Sequence, residues 1–132
     1  QLYPRTNSLY TSNTTPGMQY TYSVGAASSK YVMTGTDRLD SVAAKDNPTL
    51  HFKVGDVIVF DLKASAAAHP FWVGISQQTG QVTWGNAMGT ITNNGATSGT
   101  ITWDTHNALP GTYYYNCEYH PTMTGTIFVN EP

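Results

Sequence analysis

Apolar and polar positions alternate along this chain in short runs, and nowhere do apolar residues return at i, i+3, i+4 and i+7 over three helical turns. A period of two is what a half-buried strand requires, so the chain reads as β. The clearest instance is Thr49-Leu50-His51-Phe52-Lys53-Val54, a Gly55-Asp56 bend, and then Val57-Ile58-Val59-Phe60-Asp61-Leu62, which predicts strand, tight turn, strand. Gln19 to Val24 alternates more weakly, and Lys30 to Thr34 follows a Gly-Ala-Ala-Ser-Ser turn. Phe71 to Ser76 and Gly99 to Trp103 are further short strands, while Gly111 to Cys117 and Thr124 to Asn130 bracket a brief connection. Asp37 to Lys45, with Leu39, Val42, Ala43 and Ala44, is the one stretch that suits a helical turn or two. Thr79 to Ser98 is rich in Gly, Asn and Thr and reads as a loop with room for a hairpin. Seven to eight short strands separated by turn signals predict an all-β Greek-key sandwich or barrel.

At 132 residues, with no internal repeat and no composition break, residues 1–132 are expected to form a single domain. The first 18 residues, rich in Ser, Thr, Asn and Pro, are expected to be a loosely held arm carrying the chain's one glycosylation sequon, Asn13-Thr14-Thr15. Only 11% of residues are charged, which excludes a coiled coil or a charged disordered tail. The net charge of -2 comes without a basic cluster, so nucleic acid is not an expected partner. No apolar run approaches the ~20 residues of a membrane-spanning helix, and no span is expected. The chain opens at Gln1 without a basic, then apolar, leader, as expected of a mature exported product whose targeting segment has been removed.

Chemistry concentrates in Tyr115-Asn116-Cys117-Glu118-Tyr119-His120-Pro121-Thr122-Met123. Cys117, His120 and Met123 place a thiolate, an imidazole and a thioether at a Cys-x-x-His-x-x-Met spacing, where the chain leaves one strand and enters the next. A tight loop there can turn all three toward one point. Two His, one Cys and a weak axial Met make up the blue-copper ligand set, because soft sulfur ligands suit Cu(I) and imidazole accepts either oxidation state. The second His is expected to be His69, at a strand edge before Pro70-Phe71-Trp72-Val73. His51 lies inside an alternating strand and His106 before a turn, and both read as structural or surface residues. Cys117 is the sole cysteine, so it has no partner for an internal disulfide.

Three segments resemble the cupredoxins, the small blue copper proteins that include plastocyanin, pseudoazurin and amicyanin. They are Phe52 to Phe60, His69-Pro70-Phe71-Trp72-Val73, and Leu109-Pro110-Gly111-Thr112-Tyr113 through Cys117, His120 and Met123 to Gly125-Thr126-Ile127. The resemblance spans residues 45 to 130. The two residues between His120 and Met123 make a shorter gap than plastocyanin's and look amicyanin-like. The resemblance implies one type 1 copper ion held by His69, Cys117, His120 and Met123. It also implies that Tyr113, in its Pro-Gly-Thr-Tyr setting, forms a tyrosine corner, bonding back to nearby backbone. Tyr115 shares a face with Cys117 and is expected in the core. Glu118 should point away from the metal toward solvent.

The pattern departs from plastocyanin at two places that bear on the metal. Pro70 follows the first His and has no N–H to offer the Cys sulfur. Tyr119 precedes the second His and does have one, so the Tyr119 N–H is the expected sulfur donor. Hydrogen bonds to that sulfur tune copper's potential.

The expected function is one-electron transfer between transient redox partner proteins, by a monomer whose apolar docking patch includes Pro70, Phe71, Pro121 and Met123. Little charge should make that contact weakly salt-dependent. The alternative on the same ligands is an exported copper carrier, storage or copper-stress protein. With four His and no His-x-His pair, a multicopper enzyme is not expected, and a dinuclear copper site would need a second Cys.

Overall fold

The computed structural model describes residues 17–82 and 88–132, and the expected N-terminal arm and its sequon lie almost wholly outside them. Among the described residues ten strands are found: β1 (Gln19–Ala27), β2 (Lys30–Thr36), β3 (Ser41–Asp46), β4 (Leu50–Lys53), β5 (Val57–Leu62), β6 (Phe71–Gly74), β7 (Thr90–Thr92), β8 (Gly99–Asp104), β9 (Gly111–Cys117) and β10 (Thr124–Asn130). A 3₁₀ turn, Ala64–Ala66, follows β5. The strands make two sheets in the orders β3-β2-β1-β5-β8-β7 and β4-β10-β9-β6. Both sheets are mixed, since β1 runs parallel to β5 and β10 parallel to β4.

Alternation puts every second side chain of these strands between the sheets: Ile58, Phe60 and Leu62 from β5, Leu50 and Phe52 from β4, Tyr113, Tyr115 and Cys117 from β9. Aromatic rings fill much of the core. Phe71 lies 4.8 Å from Phe60, 5.0 Å from Tyr31 and 5.5 Å from Tyr115, with which it stacks at 8°. Gly125, opposite Tyr115 across the β9–β10 ladder, leaves room for that ring, because a Cβ there would sit 2.1 Å from the Tyr115 hydroxyl. The hydroxyl in turn donates to the Pro48 carbonyl at 2.6 Å.

The strand count exceeds the seven to eight expected from sequence. The helical turn expected at residues 37 to 45 is instead β3, an edge strand paired antiparallel to β2 across a register shift. Five of its six residues are exposed, so it carries almost no apolar alternation to reveal it. In place of a hairpin wholly inside the 79–98 loop, the loop contributes one strand, β7, which pairs with β8 beyond it.

Candidate metal centre

Cys117 ends β9, and its neighbour across the ladder is Phe71, the first residue of β6. That pairing brings the turn before β6, which carries His69 and Pro70, against the end of β9. The loop from Cys117 to Met123 closes on itself: the Cys117 N–H donates to the Met123 carbonyl at 2.9 Å and the Met123 N–H to the His120 carbonyl at 3.1 Å. Pro121 turns the chain within it, and β10 begins at Thr124.

His69, Cys117 and His120 come together, each offering a donor atom within 4.8 Å of the others. The two Nδ1 atoms are 3.2 Å apart, and Sγ of Cys117 lies 3.8 Å from His69 Nδ1 and 3.5 Å from His120 Nδ1. A triangle with those edges has a centre about 2.0 Å from all three atoms, which is a metal-to-imidazole bond length and slightly short for metal to sulfur. The donor set therefore fits a small, soft or borderline cation without rearrangement. Burial, followed by the neighbouring His120 charge, holds the His69 imidazole below its ordinary pKa and so favours the neutral form that ligates metals. Cys117 and Met123 are fully buried, and His69 and His120 are half-buried.

The remaining sequence-predicted residues divide. The Tyr119 N–H does point at Cys117 Sγ, 3.5 Å away. Pro70 is buried beside the cluster, its carbonyl accepting from the Glu118 N–H at 3.1 Å. Phe71 is fully buried between the sheets, and Pro70 and Met123 are buried too, so the docking patch expected of them is corrected. A period of two places Phe71 and Val73 on one face of β6 without saying that this face is the inner one. Of that set Pro121 alone is exposed, and Tyr119, 63% exposed, joins it at the surface around His120.

Glu118 is half-buried rather than free in solvent, since its carboxylate accepts the Trp72 indole N–H at 2.9 Å and braces β6 against β9. Tyr113 bonds back to the Leu109 carbonyl at 2.5 Å, as a tyrosine corner does. His51 is structural, 3.2 Å from Asp37 and stacked on Phe128.

Sequence reasoning missed what holds these loops from outside. The Tyr31 phenol, on β2, donates to the His69 and Pro70 carbonyls at 2.9 and 3.2 Å. Asn47 donates to the Thr122 carbonyl at 2.9 Å, and the Thr122 hydroxyl donates to the Ser29 carbonyl at 2.9 Å. A tyrosine at a buried strand position, whose hydroxyl must find an acceptor, was the one sequence signal available.

No family description matches the chain, and no curated protein matches it. Its fold is similar to solved structures of the copper protein rusticyanin. One superposes with a TM-score of 0.52 at 17% identity, covering 88% of this chain and 80% of the other. Reduced rusticyanin gives 0.52 at 17% identity over 89% and 82%, and a variant with one Met replaced by Gln gives 0.50 at 18% over 88% and 80%. The likeness establishes the fold, the cupredoxin β-sandwich.

Proposed function

We propose that the protein holds one type 1 copper ion between His69, Cys117, His120 and Met123 and carries single electrons between partner proteins. What carries this reading is the convergence of the two Nδ1 atoms and the Cys117 sulfur on one point, about 2.0 Å from each, inside a cupredoxin fold. Copper supplies the Cu(I)/Cu(II) couple when bound. The chain's part is to keep the ligand atoms from moving as charge changes. Cys117 is anchored by its pairing with Phe71 on β6 and by its N–H bond to the Met123 carbonyl, which also closes the loop that carries His120, while the His69 N–H is bonded to the Ala66 carbonyl in the turn before β6. The Tyr119 N–H stabilises negative charge on the sulfur. Burial keeps water from the thiolate.

The half-buried edge of His120, with exposed Tyr119 and Pro121 around it, is the proposed contact for a redox partner. Small apolar contacts of this kind suit brief encounters. An exported location and a monomeric state complete the proposal, in keeping with the resemblance.

The test is to add one equivalent of Cu(II) to the metal-free protein and to Cys117→Ser. An intense visible thiolate-to-copper band with narrow EPR hyperfine splitting, lost in the variant, is the expected result. Ordinary weak Cu(II) spectra would overturn the type 1 site. A blue site that releases copper rapidly to a chelator would point to the carrier alternative, and turnover of nitrite or oxygen to an enzyme.

A further inference from the structure

The two loops that bear the clustered side chains do not only touch each other. One is tied to Tyr31 and the other to Asn47, two residues of the N-terminal sheet that are bonded to each other. Tyr31 and Asn47 form one unit: the Tyr31 N–H donates to the Asn47 side-chain oxygen at 3.0 Å and the Asn47 N–H to the Tyr31 carbonyl at 2.7 Å. From this unit the Tyr31 phenol reaches the His69 and Pro70 carbonyls, 38 and 39 residues away in sequence. The Asn47 amide reaches the Thr122 carbonyl 75 residues away, between His120 and Met123. Thr122 is bonded a second time to this sheet through Ser29. A continuous set of hydrogen bonds therefore joins the His69 turn to the His120 loop without passing through the ligand atoms.

Two further observations give this network a purpose. Pro70 offers no N–H with which its segment could bond to the sulfur, and its carbonyl accepts from both Tyr31 and Glu118. Ser28, Ser29 and Asn47 all sit at positive φ, 52°, 59° and 42°, without being glycine. Such backbone persists only where surrounding bonds over-determine it. Here those residues lie beside the bonds that grip Thr122.

We infer that Tyr31 and Asn47 are the positioning residues of the metal centre, fixing the His69 turn and the His120 loop relative to each other before any metal arrives. This rests on the copper proposal for its function, though not for its geometry. Tyr31 also packs its ring on Phe71 and Tyr115, and its phenol lies against the Cys117 thiol as well, so Tyr31→Phe keeps the packing and removes the phenol's contacts with the two carbonyls and with that sulfur, whereas Asn47→Gly leaves the sulfur contact in place. Asn47→Gly removes the amide and keeps a residue at ease with positive φ. Tyr113→Phe, which deletes the phenol bond to Leu109 well away from the cluster, is the comparison variant.

The experiment measures copper affinity, the visible band, EPR hyperfine splitting and reduction potential for the wild type and these three variants, with thermal unfolding of the metal-free proteins alongside. The expected result is about tenfold weaker Cu(II) binding in Tyr31→Phe and in Asn47→Gly, with a displaced band and shifted potential. Their combination should cost less than the product of the two, because both cut one network. Tyr113→Phe should lose stability with its spectrum and potential unmoved. Variants that lose stability as Tyr113→Phe does, with affinity, band and potential unchanged, would overturn the inference.

Should the wild type give no thiolate-to-copper band, the copper proposal fails by itself, and the positioning role is decided on the metal-free protein by amide exchange. Faster exchange at Cys117 and Met123 in Tyr31→Phe and Asn47→Gly than in an equally destabilised Tyr113→Phe would sustain it. Equal exchange would overturn it.

Discussion

Two buried polar clusters lie at opposite ends of β5, and they are built on opposite principles. Before β5, Asp56 is fully buried, and its carboxylate accepts from the Met18 and Lys53 N–H groups at 3.0 and 2.8 Å and from Arg38 twice at 2.8 Å. Beside it the buried Thr105 hydroxyl accepts from the Gly55 N–H and donates to the Asp56 carbonyl. Donors answer acceptors throughout, and nothing is left for a ligand to do. Beyond β5, the cluster of His69, Cys117 and His120 turns two imidazole nitrogens and a sulfur toward one another, and the Tyr119 N–H is the backbone donor aimed at it. The two Nδ1 atoms and the sulfur can all turn lone pairs toward the same point. A polar cluster that completes itself is structural, and one whose lone pairs converge on a common point is a site.

Removing the anion from the closed cluster should give the largest effect. Asp56→Ala leaves Arg38, 16% exposed at its side chain, and two backbone N–H groups without their acceptor, and should cost about 3–5 kcal/mol in urea unfolding. The visible spectrum of the copper-loaded fraction that remains folded should match the wild type. A spectral change would show that the two ends of β5 are coupled and would break the contrast between them.

Acid should separate the clusters by a smaller margin. Burial pushes the Asp56 carboxyl upward, but the Arg38 hydrogen bonds, the two backbone N–H groups and the Arg38 charge outweigh it and hold the group below its ordinary value of 3.8. A carboxyl with a depressed folded-state pKa binds its proton less readily folded than unfolded. Its stabilisation is therefore complete above about pH 5 and is lost as the pH falls through the folded-state value. The stability difference between wild type and Asp56→Asn should thus shrink on acidification, by up to about 1.4 kcal/mol per pH unit below pH 3.8. Unfolding curves of the two proteins between pH 6 and 2 measure it, and parallel curves would mean that the carboxylate contributes nothing as a charge.

The closed and open clusters also differ in how far the sequence announces them. Cys117, His120 and Met123 sit within seven residues, after a Pro-Gly-Thr-Tyr turn and before a strand, and His69 stands at a strand edge, so the open cluster was legible from local order. The same holds for β4, β5, β9 and β10, whose alternation matches their burial. What the sequence hides is partnership at a distance. Arg38 meets Asp56 across 18 residues, Tyr31 meets His69 across 38, and Asn47 meets Thr122 across 75, and no periodicity encodes any of these. β3 escaped because an edge strand needs backbone pairing and little else, and Phe71 was misplaced because a period of two fixes a shared face without saying which face is inward.

The smallest effect should come from the turn between β1 and β2. Ala27 pairs with Lys30, so Ser28 and Ser29 are the two central residues of a tight hairpin, and both have positive φ, as a type I′ turn demands. Serine pays for that conformation, whereas Asn-Gly adopts it readily. Ser29 grips Thr122 only through its main-chain carbonyl, which glycine keeps. Ser28→Asn with Ser29→Gly should therefore raise stability by about 1 kcal/mol in thermal or urea unfolding and leave the copper band and potential where they were. Should stability rise while the band moves, the turn's strain is itself transmitted through Thr122 to the open cluster. The contrast with the self-contained Asp56 cluster would then extend to how each end responds to strain outside it.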